Sequence, residues 1–340
     1  MTPDLSLRFD ALAGLPLRRP DVVETGRVIP LEQFRRGTGS EVRIGIIRNG
    51  KARRNRERYG LEMPCAGHWA MPDSFDKLRD ALTLFARNGV NALVINGGDG
   101  TVRDVLTIAA SCFGDRMPRV AVVPSGKTNA MAIDLGTPRG WSEESAIEAL
   151  RSGRVVERSP IEIRRAGAQD VELRGFLVGA GNFVPATELA QKTHRLGAFN
   201  GLAVGLSVAS SAVQTIFGAA DNFWRQGTQI RVALPDGRSS RGAKYLLLAS
   251  TLERLPLGMR PFGAPRPGLK LLTIDAPPRR LVASLPALLG GYELPDAGYH
   301  RSDPDVIRLV VDGDIIVDGE PFAGGAMTLS RGAPIRFAVP

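Results

Sequence analysis

Cysteine is nearly missing from this chain. Cys65 and Cys112 are the only two in 340 residues, and nothing about their spacing resembles a metal-ligand pair. That scarcity argues against a disulfide-stapled secreted domain and against a zinc module, and a reducing compartment is the expectation. The N-terminus lacks a basic start followed by an apolar core and a small-residue cleavage site, so no secretory signal is expected. Uninterrupted apolar runs of membrane-spanning length are also lacking. The nearest approach is the uncharged stretch Leu196 to Ala220, which carries Asn200, Ser207, Ser210, Ser211, Gln214 and several glycines. That polarity favours a buried or lipid-facing amphipathic helix over a span. There is no tandem repeat and no low-complexity block.

What is present bounds the rest. A chain of 340 residues is long enough for two ordinary cores, and 43% hydrophobic with 23% charged residues is the composition of a globular protein. The formal net charge is +9, which points to an anionic partner. Nucleic acid, an anionic lipid surface and nucleotide phosphate all satisfy that charge, and the charge alone does not separate them.

Residues 1–40 mix Pro, Arg and Leu without periodicity and read as an N-terminal extension, with Arg18, Arg19, Arg35 and Arg36 on a solvated arm. Val42 to Ile47 reads as the first buried strand of a parallel sheet. It runs into Arg48-Asn49-Gly50-Lys51 and then Arg53, Arg54, Arg56 and Arg58. Basic residues past the carboxyl end of a strand lie where open α/β sheets bind ligands, and a plain solvated basic loop is the other reading. Asp73 or Ser74 caps a helix with Phe75, Leu78, Leu82 and Phe85 on one face, closed by Gly89. Val120 to Val123 is another strand, and Ser142 caps a further helix that ends near Gly153.

Beyond Arg154 the period shortens to that of strands. Ile161 to Arg165, Val171 to Val178, Gln229 to Leu234, Tyr245 to Ala249, Leu269 to Ile274 and Val306 to Val317 alternate, with Asp236-Gly237 and Asp312-Gly313 as turn chemistry. One helical insert, Glu188 to Phe217, interrupts them. The expected division is an α/β nucleotide-binding domain over 41–153, an antiparallel β-sandwich over 154–325, and a C-terminal strand over 326–340 that returns to the first domain.

Chemistry concentrates at two glycine turns. In Val94-Ile95-Asn96-Gly97-Gly98-Asp99-Gly100-Thr101 an apolar strand stops at three glycines around one aspartate, and a helix follows from Val102. Glycines let backbone N–H groups approach phosphate oxygens, and the helix turns its positive end to the same anion. Asp99 repels phosphate unless a metal ion or a substrate hydroxyl stands between them, so it indicates Mg²⁺ or proton abstraction. The pattern is neither Gly-x-Gly-x-x-Gly nor a Walker loop. The second turn, Pro124-Ser125-Gly126-Lys127-Thr128-Asn129, again feeds a helix. Far downstream, Asp318-Gly319-Glu320 follows an apolar strand; its plain reading is a turn.

These three elements together resemble the diacylglycerol kinase catalytic family, which includes bacterial lipid kinases, ceramide kinases and sphingosine kinases. Asn96 to Thr101 resembles the family's nucleotide loop. Pro124 to Gly136 is similar, without a gap, to Pro-x-Gly-Thr-x-Asn-Asp-x-Ala-x-x-Leu-Gly, and Asp318-Gly319-Glu320 to its Asp-Gly-Glu element. Leu196-Gly197-Ala198-Phe199 is similar to the family as well. Lys127 stands in place of threonine and Ala130 in place of aspartate, while Pro267-Gly268 replaces a common Asp-Gly.

The resemblance implies a Rossmann-like α/β domain followed by the β-sandwich, with ATP and Mg²⁺ between them. On that template Asn49, Gly97, Gly98, Gly100, Thr101, Ser125, Lys127 and Asn129 hold nucleotide. Asp99, Asp318 and Glu320 share catalysis, with Asp99 and Asp318 on the metal. The implied acceptor is the primary hydroxyl of diacylglycerol or ceramide, since Ala130 leaves no carboxylate there for an amine. The implied setting is the anionic cytoplasmic face of a membrane, without nucleic acid. A soluble NAD or sugar kinase and a degraded binding protein are the alternatives.

Overall fold

The structure, a computed structural model, describes residues 41–51, 68–195, 223–279, 281–293 and 298–340. The N-terminal arm, the arginines at 53–58, Cys65 and the uncharged stretch 196–220 lie outside the described residues. Among the described residues no helix is long and apolar enough to cross a membrane.

The first layer is a six-stranded sheet. In chain order its strands are β1 (Ile44–Arg48), β2 (His68–Ala70), β3 (Ala92–Gly97), β4 (Arg119–Pro124), β5 (Arg154–Arg158) and β15 (Ile335–Val339), arranged β2-β1-β3-β4-β15-β5. All neighbours are parallel except β5, which runs against β15. Leu93 and Ile95 face one core with Leu78, Leu82, Phe85, Val105 and Leu106. Ala92 and Val94 face another with Trp141, Ile147 and Leu150. Burial on both faces is why these strands read as continuous apolar runs.

Among the described residues four helices belong to this layer: α1 (Phe75–Arg87), α2 (Asp99–Phe113), α3 (Ala130–Leu135) and α4 (Glu143–Ser152). Ser74 caps α1 by accepting from Lys77 N–H at 3.3 Å, and Gly89 closes it with φ +70°. Phe75, expected on the apolar face, is 51% exposed.

The second layer is antiparallel. Its strands are β6 (Ile161–Arg165), β7 (Leu173–Gly175), β8 (Leu177–Gly181), β9 (Thr228–Ala233), β10 (Ser239–Ser250), β11 (Lys270–Asp275), β12 (Tyr299–Ser302), β13 (Val306–Val317) and β14 (Glu320–Arg331). The order is β12-β11-β10-β8-β13-β14-β6-β7, with β9 pairing both β10 and β13. Inward residues such as Ile163, Val178, Val232, Leu247, Leu309, Val317 and Leu329 form one core. Helices α5 (Phe183–Arg195), α6 (Phe223–Gln226) and α7 (Leu281–Gly290) are set between strands.

Three details differ from the sequence reading. Asp312-Gly313 is not a turn; β13 continues through it with a register shift between Val311 and Asp314, so the extra residues form a bulge. The expected boundary at 153/154 cuts off β5, which belongs to the first sheet and covers the edge that β15 would otherwise expose. Residues 326–331 remain in β14, and only β15 crosses back to the first sheet.

Candidate active site

Both glycine turns leave the carboxyl ends of adjacent strands, β3 and β4, and they touch. Ser125 N–H donates to the Gly97 carbonyl at 3.2 Å. A Cβ built on Gly126 lies 2.4 Å from the Gly98 Cα, a distance that side chains do not tolerate, so this crossing needs glycine. The stretch Asp99-Gly100-Thr101, read as loop, is the first turn of α2, with Gly98 as its N-cap. The helix end thus starts one residue after the strand's last glycines, where its unpaired N–H groups meet the site.

Asn129 closes the second turn on itself: its Oδ1 accepts from Gly126 N–H and its Nδ2 donates to the Gly126 carbonyl, both at 2.9 Å. It holds a left-handed backbone (φ 53°) and makes no cap bond to α3. The cap comes from Asp99. Its Oδ2 accepts from Ala130 N–H and its Oδ1 from Met131 N–H, each at 3.0 Å. Asn49 Nδ2 donates to Thr101 Oγ1 at 2.8 Å, which ties the exit of β1 to the same turn of α2. Ser125 Oγ is buried with no hydrogen-bond partner among the described residues, and Lys127 is exposed without an ion pair there. A buried hydroxyl without a partner beside a lysine and glycine N–H groups suits phosphate oxygens.

The acidic element arrives from the other domain. Asp318 and Gly319 have φ of 49° and 86°, the left-handed pair that a two-residue hairpin turn requires between β13 and β14. Asp318 Oδ1 accepts from Phe176 N–H at 3.0 Å and Leu177 N–H at 2.9 Å. A small cavity lined by Asp99, Val102, Ala130, Met131, Phe176, Leu252 and Asp318 lies between the two carboxylates' elements. Burial raises the Asp99 carboxyl above its usual range, against the pull of the Met131 and Ala130 N–H groups. Burial first, then repulsion from Asp99, pushes Asp318 up to about 7, while the Phe176 and Leu177 N–H groups and Arg103 oppose the rise. Glu320 is exposed, and its Cγ stands 3.6 Å from the Cβ position of Gly100. All eleven expected site residues therefore cluster around one crevice at the strand ends, with Gly97 and Ser125 buried, Asp99 and Asp318 half-buried, and Glu320 and Lys127 at the exposed rim.

Two groups at this crevice escaped the sequence reading. Arg103, 5% exposed, donates through Nη1 to the Val317 carbonyl at 2.9 Å, pairs with Asp104 at 2.7 Å, and lies 4.7 Å above the Phe322 ring. It fastens α2 to the hairpin that carries Asp318; its position one turn after Asp99 was the available signal. Glu143 lies in the first turn of α4. It is 2% exposed and binds Arg48 and Asn96, a pairing no local pattern announces.

Residues 70–163 match the model of the diacylglycerol kinase catalytic domain. That match takes in both glycine turns, and with the relatives it indicates a lipid kinase, a phosphotransferase. The kinase is 25% identical over 212 residues to the probable lipid kinase YegS of Escherichia coli O9:H4 (strain HS), covering 59% of this chain and 68% of that one. It is 26% identical over 160 residues to the protein of the same name from Escherichia coli (strain K12 / DH10B), 46% and 52% of the two chains. Its fold is similar to a putative diacylglycerol kinase structure from Bacillus anthracis str. Sterne, with TM-score 0.63 and 15% identity over 88% of this chain and 97% of that one. A second Bacillus anthracis diacylglycerol kinase structure gives TM-score 0.58 at 13% identity with the same coverage. The α/β plus antiparallel β architecture is shared with both.

Proposed function

We propose that the kinase transfers the γ-phosphate of ATP to the primary hydroxyl of a neutral membrane lipid, diacylglycerol or ceramide, producing phosphatidate or ceramide 1-phosphate. The observation that carries this reading is the pair Asp99 and Asp318, brought from two domains to one cavity beside two touching glycine turns. Phosphoryl transfer asks chiefly for positioning and charge neutralisation, and this crevice offers both. In this reading the N–H groups of Gly97, Gly98, Gly100 and Thr101, with Ser125 Oγ, Lys127, Asn129 and Asn49, receive the nucleotide.

Among the described residues no three His, Cys, Asp or Glu side chains converge on a metal site. That suits Mg²⁺ brought with the nucleotide, since Mg²⁺ binds through one or two carboxylates plus phosphates and water. Asp99 and Asp318 are the carboxylates placed to share it, and its contribution is neutralisation of phosphate charge. Burial raises both carboxyls, which makes either a stronger acceptor for the hydroxyl proton. Arg103 favours the anionic form of Asp318.

A neutral acceptor is favoured because Ala130 places no carboxylate beside the crevice to pair an amine. Attraction to the anionic cytoplasmic face of a membrane is supported by the +9 charge. It is further supported by Arg231 and Arg241, which face each other across β9 and β10 without an ion pair among the described residues.

Purified protein with labelled ATP, Mg²⁺ and mixed micelles of diacylglycerol, ceramide or sphingosine, or with soluble NAD, tests the reading. Label in diacylglycerol or ceramide is the expected result. Label in NAD alone overturns it, as does ATP binding with label in no acceptor.

A further inference from the structure

We infer that Glu143 is a positioning residue for the nucleotide turns, acting through Arg48 and Asn96; this rests on the nucleotide reading above. Arg48 ends β1, and Asn96 stands directly opposite it on β3. The Glu143 Oε1 accepts from Arg48 Nε at 2.8 Å and from Asn96 Nδ2 at 2.5 Å, and its Oε2 accepts from Arg48 Nη2 at 2.6 Å. One buried carboxylate therefore grips the last turnings of two adjacent strands at once, in the bidentate geometry that fixes a guanidinium plane. Its seat in the first turn of α4 favours the negative charge.

The residues that follow the two gripped positions are Asn49 and Gly97. Asn49 donates its N–H to the Asn96 carbonyl at 2.9 Å and its Nδ2 to Thr101 Oγ1 at 2.8 Å, while the Gly97 carbonyl accepts from Ser125. Displacement of Arg48 relative to Asn96 is thus passed directly to the first turn of α2 and to the second glycine turn. A buried ion pair is poor evidence for net stability, because desolvation cancels much of the attraction. Its charge-assisted, bidentate geometry is better explained by alignment: the two strand exits must hold one register for their N–H groups to converge on one ligand. These bonds of Glu143 run to Arg48 and Asn96, one residue short of the nucleotide candidates Asn49 and Gly97.

The test is Glu143→Gln, which keeps size and removes charge. Equilibrium binding of a fluorescent ATP analogue and steady-state kinetics in mixed micelles are measured beside the melting temperature. We expect the Kd for the analogue and the KM for ATP to rise about 10- to 100-fold, the scale of misplaced positioning groups, with the KM for lipid unchanged. Arg48→Lys retains the charge and loses the fork, so it should raise the same two constants, and the double variant should lose little more than either single one. If Glu143→Gln does not fold, Arg48→Lys decides. Folded variants with unchanged ATP affinity overturn the inference, as does a fall in kcat alone. A wild-type chain that binds no ATP analogue instead fells the nucleotide reading, and this inference with it.

Discussion

Asp99 has two roles, a structural one that is observed and a chemical one that is proposed, and they can be separated. One is structural: with Asn129 turned back on Gly126, helix α3 has no cap of its own, and the Asp99 carboxylate supplies it from 31 positions upstream. The other is chemical, the half of an acid pair that faces the crevice. Asp99→Asn keeps the shape but must turn an NH₂ toward one of the two N–H groups. It should cost about 1–2 kcal/mol, as lost caps do, while phosphate transfer to lipid falls at least about 100-fold, the low end for a lost proton acceptor. Denaturant titration and the micelle assay read the two effects separately; an active variant refutes the chemical role. For Asp318 the sign of the pH effect is fixed by its carboxyl standing at about 7 in the folded chain, above the unfolded value of 3.8. Between those values the folded chain binds more protons than the unfolded one, so its contribution to stability is full below about 4 and is lost as pH rises through 7. The ligand-free protein should melt at a lower temperature at pH 7.5 than at pH 5 on this account, and Asp318→Asn should flatten that slope. An equal slope in the variant would assign the dependence to other groups.

At the scale of elements, the crossing of the two glycine turns closely constrains the backbone of the crevice. Gly126→Ala places a methyl 2.4 Å from the Gly98 Cα and 3.0 Å from Asn129 Oδ1, so backbone must move. Overpacking of this kind costs about 1–3 kcal/mol, and ATP affinity should fall further than stability does, because in the proposed reading the displaced atoms are the ligand's own partners. Calorimetry of nucleotide binding at a temperature where the variant is folded checks this; intact affinity would show that the turns do not share a ligand. Each turn was legible in the sequence, since a strand ending in Gly97-Gly98 or Ser125-Gly126 before a helix has few other uses. Their contact was not legible, because it depends on β3 and β4 being neighbours and on Asp99 reaching across to α3. The start of α2 was missed for a related reason: glycine in a first turn costs helix propensity, and here Gly98 as cap and Asp99 in the first turn compensate.

Across the whole molecule the open question is what holds two domains so that acids from both meet. The alternating and apolar runs made the α/β and antiparallel halves readable, yet β5 was assigned to the wrong half because a short, exposed strand has no pattern that names its partner. The tie between halves was equally hidden in the motif around Asn129. Five residues on, Asp134 is fully buried at the end of α3; its Oδ2 accepts from Arg158 Nε on β5 at 2.6 Å. Its Oδ1 accepts from Glu253 and Arg254 N–H groups, both at 2.7 Å, in the segment after β10. One six-residue helix thus receives the Asp99 cap at its start and anchors the second domain at its end, so crevice and domain junction move together. Leu252 and Leu255 add to this by entering the same core as Met131 and Leu135. Removing the carboxylate leaves Arg158, 15% exposed, short of its main partner and two N–H groups unpaired. Asp134→Ala should therefore cost about 3–5 kcal/mol, the penalty for breaking a buried pair from one side, measured as the midpoint shift in urea. If the domains separate before they unfold, the denaturant slope will also fall, and ATP and lipid KM will rise together because each domain holds one side of the crevice. A midpoint shift worth less than about 1 kcal/mol would show that the junction is held by the shared apolar core and not by Asp134.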